Sequence, residues 1–258
     1  MSYTGVTVEI KNGLAMIKLN NPGRANALSK FLVADLASAL AKLKKRDGLH
    51  SVIFTGGESK AFCSGADLKE RLEMDEIEII EFVSSLRRVL ADIEELPMPT
   101  IAAIKGLALG GGCELALACD IRIIEENALI GLPEVSWGII PGAGGTQRLT
   151  ELIGAGKAKK MIFTAAKLTG SEAYEIGLAE YIVSRGQSEE KALEIAKEIS
   201  NNSRNSIELA KKAINFLNKD RLVQGLEEEW NCYKETISHS DRLEGLASFN
   251  EKRKPKYF

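Results

Sequence analysis

Thr100–Arg148 reads TIAAIKGLALGGGCELALACDIRIIEENALIGLPEVSWGIIPGAGGTQR. Two short apolar runs, Thr100–Ile104 and Asp120–Ile124, have the length and β-branched content of buried strands. Between them a glycine turn, Gly110-Gly111-Gly112, leads into a helix-like run that carries Glu114. A second carboxylate, Glu134, follows Pro133, and a second glycine-rich turn spans Pro141–Gly145. Strand, glycine turn, helix and strand in succession is the alternation of an α/β protein. Two carboxylates beside two turns that offer backbone N–H groups suit chemistry on a carbonyl.

Upstream, Thr7–Ile10 and Ala15–Leu19 flank Asn12-Gly13, a strong hairpin signal. Ser29 is placed to cap a helix whose apolar face is Leu32, Leu36, Leu40 and Leu43 and which ends by Gly48. Ser51–Thr55 reads as a buried strand closed by Gly56-Gly57. Ala61–Glu70, AFCSGADLKE, passes from extended chain into a helix start at Gly65-Ala66-Asp67. Asp75 with Glu78 forms a capping box for a long helix with Ile79, Phe82, Leu86, Leu90 and Ile93 on one face, stopped by Pro97 and Pro99.

Downstream, Thr146–Ile153, Lys157–Thr164 and Ser171–Ile176 read as helices, and Tyr181–Val183 as a last short strand. Helical patterns then fill Glu189–Asn201, Ser206–Leu217, Leu222–Ile237 and Asp241–Phe249. The expected division is an α/β core over residues 1–195 and a helical region over residues 196–258. Strand–helix units recur without a fixed-period repeat.

With 258 residues the chain suits one large domain or a domain with an appendage. An apolar fraction of 45% and a charged fraction of 27% are those of a soluble globular protein, and no apolar run is long enough to span a membrane. The opening MSYTGVTVEIKNG lacks a basic start followed by an apolar core, so no signal peptide is expected. A net charge of -2 argues against general nucleic-acid binding. Cys63, Cys113, Cys119 and Cys232 have no metal spacing and read as reduced thiols in a cytoplasmic protein. His50 and His239 lie near no candidate nucleophile or second ligand, which disfavours a zinc site or a Ser-His-Asp triad.

The chemistry then rests on glycines and glutamates. A glycine turn entering a helix exposes N–H groups with no internal partner. A second such N–H comes from Ala66 behind Gly65, and two donors converging on one oxygen make an oxyanion hole. Glycine spacing alone, however, favours plain tight turns. Glu114 sits among Cys113, Leu115, Ala116 and Leu117, so it is either a satisfied core group or a carboxyl of raised pKa used in acid–base work. Glu134, in Gly131-Leu132-Pro133-Glu134-Val135, has a similar setting. Two glutamates facing one substrate hold a water between them, but spacing does not bring them face to face.

The segments AFCSGADLKE, IAAIKGLALGGGCELALACDIRI and GLPEVSWGIIPGAGGTQRL resemble the signature blocks of the enoyl-CoA hydratase/isomerase (crotonase) superfamily. The likeness runs from the first hairpin to the tail DRLEGLASFNEKRKPKY, and ADLKERLEM together with that tail resembles the methylglutaconyl-CoA hydratase branch. The resemblance implies a crotonase-like α/β fold of repeated ββα units, with helical C-terminal oligomerisation into a homotrimer or hexamer. It implies donors at Ala66 and Gly111, catalytic carboxylates at Glu114 and Glu134, and coenzyme A contacts along Ala66, Asp67, Leu68 and Lys69. Gly142 is implied beside the acyl thioester, with Arg24 and Lys252 toward the CoA phosphates. The implied reaction adds water syn across a trans-2-enoyl-CoA to give a 3-hydroxyacyl-CoA, without a metal or other cofactor.

Three alternatives stand beside it. A Δ3,Δ2-enoyl-CoA isomerase would use Glu134 as a proton shuttle, but such members often keep only the second carboxylate. A methylglutaconyl-CoA-type hydratase would need a cation for a second carboxylate, and the sequence shows none poised for it. Trp137, Ile139 and Ile140 read equally as acyl-pocket wall and as core. RNA binding, associated with that branch through a lysine-rich helix, would rest on Lys30, Lys42, Lys44, Lys45 and Arg46. Four of those five charges cluster at the helix end, where they complement the helix dipole. A scaffold without activity is disfavoured by the intact carboxylate pair.

Overall fold

A computed structural model describes residues 4–216 and 219–257. The chain opens with β1 (Val6–Lys11), β2 (Leu14–Leu19), α1 (Lys30–Lys44) and β3 (Ser51–Thr55). Next come α2 (Leu68–Leu72), α3 (Glu76–Glu94), β4 (Thr100–Ile104), β5 (Leu107–Leu109) and α4 (Gly111–Leu117). β6 (Ile121–Glu125), β7 (Leu129–Gly131), α5 (Gly145–Ile153), α6 (Ala155–Phe163), β8 (Lys167–Thr169), α7 (Gly170–Glu175) and β9 (Tyr181–Val183) follow. Four helices close the chain: α8 (Ser188–Ser200), α9 (Arg204–Phe216), α10 (Lys219–Ile237) and α11 (Ser240–Asn250). Short 3₁₀ turns occupy Pro22–Arg24 and Glu134–Trp137.

Six strands form one sheet in the order β1-β2-β3-β4-β6-β9, parallel except for the β1–β2 hairpin. In that hairpin Asn12 and Gly13 both take positive φ, which is what a two-residue turn of this hand requires. β5, β7 and β8 make a second, three-stranded sheet. The units β4-β5-α4 and β6-β7-α5 each run two strands into a helix, so the mixed α/β fold of ββα units is present. The predicted helices recur with shifted ends, and residue 217 of the predicted Ser206–Leu217 helix lies outside the described residues. The strands of the second sheet went unpredicted: LAL, LIG and KLT each hold at most one β-branched residue, unlike Tyr-Ile-Val of the equally short β9.

Alternation along the central strands splits the core in two. Ile53, Ile101, Ala103 and Ile123 face α8, where Ala192, Ile195 and Ala196 complete a small cluster. Val52, Phe54, Ala102, Ile104 and Ile124 face the main core with α1, α3 and α4. Ser29 caps α1 by accepting from Leu32 N, and Asp75 with Glu78 caps α3 reciprocally, as the spacing predicts.

One buried amide ties the loops that lead to the site. Asn26 is fully buried and donates to Gly56 O, Ala61 O and Phe62 O, while its Oδ1 accepts from Asn21 N. Its φ of 55° is left-handed, a conformation that asparagine adopts at lower cost than most residues. Asn26→Ala is therefore expected to destabilise the fold by about 2–4 kcal/mol through carbonyls left unpaired, measurable by urea denaturation.

Candidate active site

Segment 61–66 is laid along β5 by backbone hydrogen bonds. Phe62 N donates to Lys105 O, Cys63 N to Leu107 O, and Leu109 N back to Cys63 O. Gly112 stands against this segment, since a Cβ there would sit 2.1 Å from Cys63 O. The chain then turns at Gly65, whose φ is +97° and whose missing Cβ would meet Leu109 O at 2.6 Å. Leu28 pairs with Ala66 as an isolated parallel bridge: Leu28 N donates to Gly65 O and Asp67 N to Leu28 O. That pattern engages the neighbours of Ala66 and turns Ala66 N–H to the opposite side. Across from it, Gly110 donates to Gly131 O, and Gly111 opens α4 with an N–H that has no intrahelical acceptor. A Cβ on Gly111 would lie 3.8 Å from Ala66 N, so the two amides are neighbours.

Ala66, Leu68, Gly111, Glu114, Glu134 and Gly142 line one cavity. Its wall includes Trp137, Ile139 and Ile140, each only partly buried. Glu114, one turn into α4, is 3% exposed. Its Oε1 accepts from Ala143 N at 2.8 Å and Gly145 N at 2.9 Å. Gly145 must lack a Cβ for this, since one would fall 2.9 Å from that oxygen. Glu134 sits on the 3₁₀ turn Glu134–Trp137, with its Oε1 3.1 Å from where a Cβ of Gly110 would be. Its Oε2 is buried with no hydrogen-bond partner among the described residues. The end of the chain pins that turn: Gly245 of α11 packs on Trp137 O, Phe249 meets the Trp137 ring edge-on at 6.3 Å, and Tyr257 OH donates to Ser136 O at 2.6 Å.

A third buried carboxylate lies behind the second glycine turn. Glu229 of α10 accepts from Gly144 N (2.6 Å), Thr146 N (2.9 Å) and Thr146 Oγ1 (2.6 Å). Arg87 stands 3.7 Å from its Oε1. Sequence reading missed Glu229 because Glu227-Glu228-Glu229 looks like a solvated face. The available signal was its place on the stripe Leu226, Trp230, Tyr233 and Ile237. Burial, followed by repulsion from Glu229, pushes the Glu114 carboxyl up to about 7. Burial, followed by repulsion from Glu114, holds Glu134 well above the ordinary carboxylate range. Burial also raises Glu229, against the hydrogen bonds it accepts. This arrangement places Glu114 near its midpoint at neutral pH and shifts Glu134 toward its protonated form, two carboxyls of unlike surroundings in one cavity.

The cavity also holds a cation. Arg71 of α2 is 9% exposed, donates through Nη2 to Tyr233 OH at 3.0 Å, and lies 4.8 Å over the Phe82 ring. Its Nη1 is buried without a partner, and among the described residues no carboxylate pairs with Arg71. Sequence analysis did not single out Arg71, which lies within ADLKERLEM. Other expected residues lie outside the cavity lining. Asp67 caps α2 through Lys69 N and Glu70 N and pairs with Arg24, whose side chain is largely exposed. Lys69 and Lys252 are exposed. Of the lysine-rich helix, Lys30 pairs with Glu78 of α3 at 2.8 Å and Lys44 with Glu95, the residue after α3, at 3.3 Å, so part of its charge is offset. Among the described residues no group of three or more His, Cys, Asp or Glu is placed to hold a metal ion.

Paired amides over paired buried carboxylates are an arrangement suited to acid–base chemistry on a carbonyl compound. The model of the enoyl-CoA hydratase/isomerase family matches residues 9–258. Bacillus subtilis YngF, designated an enoyl-CoA hydratase/isomerase, is 48% identical over 95% of this chain and 94% of its own. Mouse mitochondrial methylglutaconyl-CoA hydratase is 46% identical over 96% and 81%. The crystal structure of enoyl-CoA hydratase from Bacillus anthracis superposes with a TM-score of 0.81 at 44% identity, covering 98% of both chains. The chain belongs to the enoyl-CoA hydratase/isomerase family, whose members act on coenzyme A thioesters.

The raised Glu114 pKa fixes a stability signature. A carboxyl that titrates near 7 when folded and near 4.5 when unfolded keeps its proton longer in the native state, so stability falls as pH rises between those values. Glu114→Gln removes that loss. The variant is expected to melt higher than the wild type above pH 7, by an amount of order 1–3 kcal/mol. The advantage shrinks as pH falls and vanishes below about pH 4.5, which thermal melts across pH would track.

Proposed function

We propose that this protein hydrates trans-2-enoyl-CoA thioesters to 3-hydroxyacyl-CoA. The observation that carries the reading is the unequal carboxylate pair in one cavity with two adjacent amides: Glu114 anchored by two N–H groups, Glu134 with an unpartnered buried oxygen. The thioester oxygen accepts from Ala66 and Gly111 N–H, an oxyanion hole that favours the developing enolate over the ground state. Water sits between the glutamates. Glu114, ionised, takes a proton from it as the oxygen bonds to the β-carbon. Glu134, protonated, gives its proton to the α-carbon from the same face. The pair ends with its proton on Glu114 and resets by exchange with solvent. The chemistry uses no resident cofactor.

The coenzyme A moiety is assigned to Ala66–Lys69, with Gly142 beside the acyl end and Arg24 and Lys252 as candidates for its phosphates. Self-association into a homotrimer or hexamer is supported by exposed apolar side chains on the C-terminal helices, among them Leu209, Ile214, Phe216 and Val223. The cytoplasm is the compartment we assign, supported by free, buried Cys63, Cys113 and Cys119. No helix among the described residues is long and apolar enough to cross a membrane.

Arg71 favours one refinement, a methylglutaconyl-CoA-type substrate. A buried guanidinium with an unpaired Nη1 in the acyl cavity suits a short acyl group ending in a second carboxylate. The mouse relative carries that substrate in its name.

The test is loss of the enoyl absorbance of crotonyl-CoA. Glu114→Gln and Glu134→Gln are each expected to lower kcat by about 10²–10⁴-fold. Full activity in Glu134→Gln would sink the assignment of roles, and a gain of absorbance with a 3-enoyl-CoA in place of hydration would mark an isomerase.

The acidic-acyl reading is tested with glutaconyl-CoA, which is crotonyl-CoA carrying a terminal carboxylate. Arg71→Gln is expected to lower kcat/KM for glutaconyl-CoA about 10–100-fold more than for crotonyl-CoA. Equal losses on the two substrates would remove Arg71 from acyl recognition.

A further inference from the structure

The turn at residues 143–146 is held from both sides by acids. Ala143 and Gly145 N–H point to Glu114, while Gly144 and Thr146 N–H point to Glu229. Glu114 comes from α4 and Glu229 from α10, so four successive amides leading into α5 are shared alternately between two helices. Two arginines close the frame. Arg87 of α3 donates to Gly142 O and Leu226 O and lies over the Trp230 ring, beside Glu229. Arg148 of α5 donates to Ala143 O and pairs with Glu94 at 2.8 Å. Nothing in the hydration chemistry uses Glu229, yet its side chain is completely buried. A buried carboxylate kept at such a place costs stability unless it serves the structure around it.

We propose that Glu229 is a positioning residue: from α10 it locks residues 143–146 on one side, so that the Ala143 and Gly145 amides hold the Glu114 carboxylate on the other. The proposal rests on the hydratase reading. Glu229 acts on Glu114 in two ways. Through the turn it keeps Oε1 of Glu114 engaged, leaving one defined orientation toward water. Through its charge it opposes ionisation of Glu114, and so keeps that group a strong enough base. The other titratable groups around Glu114 are Glu134, which acts in the same sense when ionised, and the arginines Arg87 and Arg148, which act in the opposite sense, with Arg71 a further cation lining the cavity.

Rates on crotonyl-CoA are measured across pH for the wild type, Glu229→Gln and Glu229→Asp, with thermal melts of each. Glu229→Gln is expected to lower kcat by about 10-fold or more with KM within about 3-fold, and to move the acid limb of kcat/KM to lower pH. Glu229→Asp keeps the charge but not the reach, so kcat falls while the acid limb stays. A folded Glu229→Gln with the wild-type acid limb overturns the proposal, whether its rate is normal or merely reduced. Should Glu229→Gln not fold, Arg87→Gln reads the same frame with the opposite sign: its acid limb must move to higher pH, and an unmoved limb overturns the proposal. A wild type inactive on crotonyl-CoA would defeat the hydratase reading itself. In that case the Glu114 carboxyl titration, followed by ¹³C NMR and assigned with Glu114→Gln, still decides: it must shift to lower pH in Glu229→Gln, and identical titrations overturn the proposal.

Discussion

Ala143 to Thr146 present their amides at the N-terminal end of α5, where helical N–H groups lack internal acceptors and the helix dipole is positive. Two carboxylates meet that end, Glu114 from α4 and Glu229 from α10. Neither could stay buried alone, because removing a carboxylate from water costs far more than one hydrogen bond returns. Each receives two backbone donors, Glu229 also a hydroxyl and the nearby Arg87. The helix end is thus satisfied by acids, the acids by the helix end, and three helices are docked by the exchange.

The same economy of contacts sets the difference between the two glutamates of the cavity. Glu114 is engaged by the turn on one oxygen. Glu134 has its own 3₁₀ turn and a buried Oε2 without a hydrogen-bond partner among the described residues. Burial raises both, but Glu114 gains two amides from the glycine turn that favour its charge, where Glu134 has only the backbone of its own residue. Unlike proton affinities therefore follow from unlike backbone surroundings, with no change of residue type. The amides of Ala66 and Gly111 depend on backbone in another sense. They approach because Gly65, Gly111 and Gly112 carry no Cβ where segment 61–66 crosses α4.

Much of this is legible in the sequence and some is not, for a physical reason. Buried strands such as Ile101–Ile104 announce themselves by composition, and Asn12-Gly13 by turn geometry. The glycine clusters and the two glutamates stand out because their chemistry is unusual among apolar neighbours. The β5-β7-β8 sheet is silent because its three-residue strands lack the β-branched and aromatic run that marks the equally short β9. Glu229 and Arg71 are silent because a charge on an amphipathic helix normally faces water. What buries them is tertiary: α10 arrives on the site 115 residues after Glu114, and Tyr233 from the same helix meets Arg71. Local pattern cannot report a partner so far along the chain.

The dependence on the last helices separates the working protein from the folded one. The six-stranded sheet is closed by β9 and α8, before α10 and α11 are reached. Those two helices supply Glu229 and Tyr233, and they brace the turn that bears Glu134. Because Tyr233 and Ile237 of α10 also belong to the main core, loosening these helices would open one side of it as Glu114 lost its fixed bearing and Glu134 its enclosure. The sheet pairing makes no use of α10 or α11, so secondary structure and the integrity of the cavity are separate properties of this chain.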